Sequence, residues 1–188
     1  MTNETDPPGE TPELEYDLTL FPEPVLRQRA LPIESFDDEL RHTVEAMYAR
    51  MYASGGVGLA APQVGLKQRI LVLNAEGERG KGEELTMINP EIVGREGAPS
   101  DYDEGCLSFP GIYAQVTRPE RCTVKYQDVQ GNAHEATFEG FTSRIIQHEY
   151  DHLEGVLLVD RMSPADKLRN KSALEDLVAR FKRARAAR

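Results

Sequence analysis

The feature that most restricts this chain stands in "IIQHEYDHLEG" (Ile145–Gly155), where His148 and His152 lie four residues apart and Glu149 follows the first. On a helix of 3.6 residues per turn, positions four apart share a face. Both imidazoles can therefore grip one metal ion. The neighbouring Ile145, Ile146 and Leu153 are apolar and call for a buried helix, and buried imidazoles need partners. A catalytic site of this kind takes three protein ligands and keeps one position open. The fold must surround this helix and deliver a third ligand to it.

Several residues are candidates for that ligand. His42 falls on the polar side of an early helix, and His134 opens a strand among polar neighbours. Cys122 alternates with Val124 and Tyr126 into a core-facing row, where a free cysteine behaves as a small hydrophobe. Glu175 lies 22 residues beyond His152, a spacing that suits a zinc endopeptidase with a downstream glutamate ligand. Cys106, in "DEGCLSFPG", ends a strand-like stretch between acids and glycine. That is an odd place for a core cysteine and a good one for a metal-bound thiolate.

The other elements follow from local patterns. Asp37 to Ser54 repeats apolar residues at Leu40, Val44, Met47/Tyr48 and Met51, the spacing of an amphipathic helix. The glycines and proline of "GGVGLAAPQVG" (Gly55–Gly65) predict a loop. Short strands are expected at "RILVLN", "LTMINPEIVG", "IYAQVTR", "RCTVKYQDV" and "AHEATFE", with a Pro-containing turn between the third and fourth and a hairpin at Gln130–Asn132. Their close succession favours antiparallel pairing over βαβ crossovers. A helix is expected from about Phe141 to Leu153, stopped by Gly155. A last helix opens with Ser163 as N-cap and Pro164 at its first position, and runs through Phe181. The expected class is α+β: antiparallel sheets packed around a central HExxH helix, flanked by an N-terminal and a C-terminal helix.

With 188 residues, 39% of them hydrophobic, the chain can build one domain with a real core. Residues 1–17 hold six acids and no Lys or Arg, and lack the apolar stretch of a secretory leader. They are expected as a flexible acidic extension ahead of a single domain over 18–188. Two cysteines do not make a disulfide framework, which favours a reducing cytoplasm, and no apolar run is long enough for a membrane helix. The net charge of −10 divides into −16 over residues 1–160 and +6 over Arg161–Arg188. An acidic body argues against DNA or broad nucleic-acid binding, while the basic end is the one stretch suited to RNA.

Three motifs occur in order: "GVGLAAPQ" (Gly56–Gln63), "EGCLS" (Glu104–Ser108) and "QHEYDHLEG" (Gln147–Gly155). Together they resemble the signature motifs of peptide deformylase, and the resemblance runs from about Leu18 to Met162, including "FPEPVLRQRA". It implies removal of the formyl group from the initiator formyl-methionine of nascent peptides. It also implies that Cys106, His148 and His152 hold one divalent metal ion, usually Fe2+, with Zn2+, Ni2+ or Co2+ able to replace it. By the same resemblance Glu149 moves protons, and the side chain of Gln63 and the backbone N–H of Leu107 stabilise the developing oxyanion. The extended peptide would bond to this glycine loop, Gly58 included, and its methionine side chain would enter an apolar pocket near Val57, Phe141, Ile145 and the His148 ring, with Gly56 and Glu104 also around the substrate. The basic C-terminal helix would suit a contact with ribosomal RNA.

Overall fold

The computed structural model describes residues 14–187. After a 3-10 turn at Pro24–Arg27, the first helix, α1, spans Asp38–Ala53. Asp37 caps it, its side chain accepting a hydrogen bond from the Leu40 N–H at 3.0 Å. The glycine-rich segment is more ordered than a loop. It contains a short strand, β1 (Gly58–Ala60), and a 3-10 turn at Ala61–Val64. Three strands follow, β2 (Ile70–Leu73), β3 (Leu85–Cys106) and β4 (Phe109–Gln127), and β5 (Ala133–Glu139) completes the set. The HExxH helix is α2 (Gly140–Leu153). Beyond it come α3 (Leu158–Arg161), α4 (Pro164–Arg169) and α5 (Lys171–Ala186).

One five-stranded antiparallel sheet forms, in the order β1-β2-β3-β4-β5, where several sheets were expected. Register shifts along the β3–β4 pair, at Ile88/Glu91, Ile92/Gly94 and Glu96/Pro99, let two long strands bend instead of dividing. The Pro-containing turn expected before Arg121 is absent for the same reason. Pro119 pairs with Pro99 beside a register shift, where a missing N–H does least harm to the ladder, and β4 continues through it.

β2 is buried at all four positions because both faces of the sheet are covered. Ile70, Val72 and Ile88 pack with Val44, Met47 and Met51 of α1. Leu71, Leu73 and Met87 point the other way, toward Ile145, Ile146 and Leu153 of α2. A third cluster joins Phe109 and Ile112 of β4 to Leu157, Leu158 and Leu177. Gly155 ends α2 with a φ of 73°, and a Cβ there would stand 2.5 Å from the carbonyl oxygen of Arg27. Both the turn and the close backbone approach require glycine.

The last helix is broken into two. Asn170 donates its side-chain amide to the carbonyls of Asp166 and Tyr113, at 3.0 and 2.9 Å, and closes α4 before α5 begins. Of the expected N-terminal extension, residues 1–13 lie outside the described residues. Residues 15–17 are held against α1: Glu15 meets His42 at 2.6 Å, and Arg50 grips the carbonyl of Tyr16 and the carboxylate of Asp17. No helix among the described residues is long and apolar enough to cross a membrane.

Candidate active site

α2 is enclosed on nearly every side, and most of its buried polar groups are satisfied. Gln147 donates to the Pro119 carbonyl at 3.0 Å and to Ser143 Oγ at 3.1 Å. Asp151 accepts from Arg118 at 2.9 Å and from Arg161. Two exceptions stand out. Glu149 Oε2 and His152 Nδ1 are buried without a hydrogen-bond partner among the described residues. An orphaned carboxylate oxygen beside two histidines marks a place built for something else to bind.

Cys106 is the last residue of β3, and the two-residue turn Leu107–Ser108 carries the chain into β4. This brings its thiol to α2, with Sγ 3.3 Å from His152 Nε2. Among the described residues, Cys106, His148 and His152 form the one group whose ligand atoms all lie within 4.8 Å of one another. A tetrahedral ion with sulfur and nitrogen ligands holds them roughly 3.5 Å apart, so small side-chain shifts suffice for this trio to close on a cation. The other candidates are elsewhere. His42 pairs with Glu15, His134 with Asp128 at 2.9 Å, Cys122 is in the core, and Glu175 is an exposed residue of α5 facing Lys171 at 3.8 Å. That placement removes the endopeptidase arrangement with Glu175 as ligand.

Glu104, expected around the substrate, lines the adjoining cleft and has both carboxylate oxygens engaged inside the protein. His148 Nδ1 donates to Oε2 at 3.0 Å, and Arg118 grips both oxygens at 2.7 and 2.9 Å. Burial opposes the charged carboxylate, yet His148 and Arg118 outweigh it and hold its pKa at about 2. This fixes the His148 ring from behind, as carboxylates do for metal-binding histidines. Burial also disfavours charge on His148, but Cys106 and Glu104 on either side push its pKa well above the usual value. His152 goes the other way, held low by burial and by His148. Burial raises Glu149 to about 7, which suits a group that must both take and give a proton.

Cys106 and His148 line a cleft of about 650 Å³, with His152 buried behind them. Gly56, Val57, Gly58, Gln63, Leu107, Phe141, Ile145 and Glu149 all line it, so residues spread over 94 positions of sequence meet in one place. Gln63 is buried, and its Oε1 accepts from the Ala60 N–H at 2.8 Å. That bond turns Nε2 toward Cys106 Sγ, at 3.6 Å, and Ser108 Oγ, at 3.5 Å. Gly58 packs directly on α2: a Cβ there would stand 2.6 Å from both Glu149 Oε1 and Ile145 Cγ2.

A family model, polypeptide deformylase, matches residues 16–168. The chain belongs to the polypeptide deformylase family. It is 45% identical over 168 residues to the peptide deformylase of Thermotoga sp. (strain RQ2), covering 89% of this chain and 99% of that one. It is 43% identical over 163 residues to peptide deformylase 1B, chloroplastic/mitochondrial, of Arabidopsis thaliana, covering 87% and 59%. Among solved structures, a plant peptide deformylase 1B superposes with a TM-score of 0.88 at 40% identity, over 95% of this chain and 96% of that one. A peptide deformylase from Synechococcus elongatus in complex with actinonin superposes with 0.82 at 41% identity, over 88% and 89%.

The deformylase fold also engages residues that the motifs left out. Arg118, Arg144, Tyr102 and Tyr113 line the cleft or support its ligands. For Arg144 a signal existed, since it lies four residues before His148 on one helix face. The partners of Arg118 are distant in sequence and left no local trace.

Proposed function

We propose that this chain removes the N-formyl group from the initiator formyl-methionine of nascent polypeptides, with one divalent metal ion held by Cys106, His148 and His152. The observation that carries this reading is the convergence of those three ligand atoms beside the unpartnered Glu149 Oε2 and the Gln63 amide, at the wall of one cleft. When bound, a divalent ion supplies Lewis acidity that activates water and polarises a carbonyl. The mixed thiolate and imidazole donors suit Fe2+ in the cell and accept Zn2+, Ni2+ or Co2+.

Glu149 Oε2 takes a proton from the attacking water and returns one to the methionine nitrogen as the C–N bond breaks, leaving formate and a free amine. Gln63 Nε2 and the Leu107 N–H donate to the formyl oxygen as it gains negative charge. β1 is an edge strand, paired on one side with β2. An extended peptide can add to its free edge at Gly58 and along Gly56 and Val57 just before it, placing the methionine side chain among Val57, Phe141 and Ile145. The closely walled site excludes an acetyl methyl group by sterics. The basic helix α5 would meet ribosomal RNA in the cytoplasm, where formylated chains emerge.

An anaerobic assay of the iron-loaded protein on a formyl-Met tripeptide tests the reading. Formate is expected from the wild type, with loss of both metal and turnover in Cys106→Ser. A metal-loaded wild type that releases no formate sinks it.

A further inference from the structure

Arg144 lies on α2 one turn before His148 and is only 8% exposed. Its guanidinium faces two ways. On one side Nη1 donates to Glu104 Oε1 at 2.8 Å and to the Val116 carbonyl at 3.0 Å, and Glu104 in turn accepts from His148 Nδ1. On the other side Nη2 donates to the carbonyl and hydroxyl oxygens of Ser100, at 2.7 and 3.0 Å. The guanidinium carbon also sits 5.4 Å from the centroid of the Tyr102 ring, within cation–π range. Tyr102 is half exposed and leans on Phe141 with ring centroids 5.9 Å apart; both rings line the cleft.

We propose that Arg144 is a positioning residue that couples the support of His148 to the Tyr102–Phe141 wall receiving the side chain of the formylated residue. The proposal rests on the deformylase reading. A guanidinium holds its donors in one rigid plane and serves both sides at once. A lysine ammonium is a compact charge on a flexible stem and can satisfy one side at a time. Arg118 supplies an internal control. It grips the same Glu104 carboxylate, but its third contact is Asp151, deeper on α2, and not the aromatic wall.

The test compares three Co2+-loaded variants with the wild type by two readouts. One is Co2+ affinity, by competition with a coloured chelator. The other is the ratio of kcat/KM for a formyl-Met tripeptide to that for its formyl-Ala counterpart, with kcat and KM resolved. Arg118→Lys should lower Co2+ affinity about 10–100-fold and leave the ratio in place. Tyr102→Leu should lower the ratio about tenfold through KM and leave Co2+ affinity in place. Arg144→Lys should lower both. If it moves Co2+ affinity alone, or neither readout, the coupling role is overturned. Should Arg144→Lys lack a cooperative unfolding transition, Ser100→Ala replaces it. A drop in the ratio of about threefold together with weaker Co2+ binding supports the proposal, and a change in only one readout or in neither overturns it. A wild type that binds Co2+ but deformylates neither peptide refutes the deformylase reading itself, and the coupling falls with it.

Discussion

α2 and α5 are helices of similar length, 14 and 16 residues, with opposite surroundings. α2 buries nine of its residues, Arg144, Glu149 and Asp151 among them; α5 buries Leu177 alone. A helix that carries polar groups into the interior must supply a partner for each, and α2 does so except at Glu149 Oε2 and His152 Nδ1. α5 has no such demand, and its charges stay in water. Two of the three buried side-chain atoms without a partner among the described residues, Glu149 Oε2 and His152 Nδ1, lie on α2.

The contrast can be broken at several points. Glu149→Ala should lower formate release by about 10²–10⁴-fold with metal content unchanged; a variant that keeps its rate would make the unpartnered oxygen irrelevant. Ile146→Ala, on the buried face of α2, should cost about 2–5 kcal/mol of stability in urea unfolding. Gly58→Ala should force Glu149 and Ile145 aside and cost on the order of 10²-fold in kcat/KM, with little change in the thermal midpoint. Asp160, on α3 between the two helices, gives a weaker effect. Burial opposes its charge, but Arg27 and the Leu157 N–H hold its pKa below the usual carboxylate range. Its contribution is present above the unfolded-state pKa and lost as pH falls through the lower folded value. The stability gap between wild type and Asp160→Asn should therefore shrink in acid. Last, Lys182→Ala on α5 should change stability by no more than about 0.5 kcal/mol. A cost equal to that of Ile146→Ala would erase the distinction.

What the sequence disclosed follows the range of the interactions involved. α1 was legible because its cap and apolar spacing lie within a few residues of each other, and the HExxH helix for the same reason. Cys106 could be singled out from its neighbours, and the motif resemblance placed it with the histidines. The continuation of β4 through Pro119 was not legible, since it depends on Pro99 across the hairpin. Nor was the break at Asn170, which turns on a bond to Tyr113 in another strand. The ion pairs of Glu104 join residues 14 and 40 positions apart, and no periodicity encodes them.

The meander order of the sheet also fixes a sequence of events during synthesis. Each strand finds its neighbour next along the chain, so the sheet can close piece by piece as the polypeptide lengthens. Cys106 is made at the end of β3, whereas His148 and His152 arrive after the last strand, on α2. At about 5–20 residues per second, the thiol waits several seconds for its two partners. A partial chain that stops before Gly140 holds Cys106 without either histidine of the proposed metal site, so under that proposal metal capture follows translation of the whole sheet and its following helix.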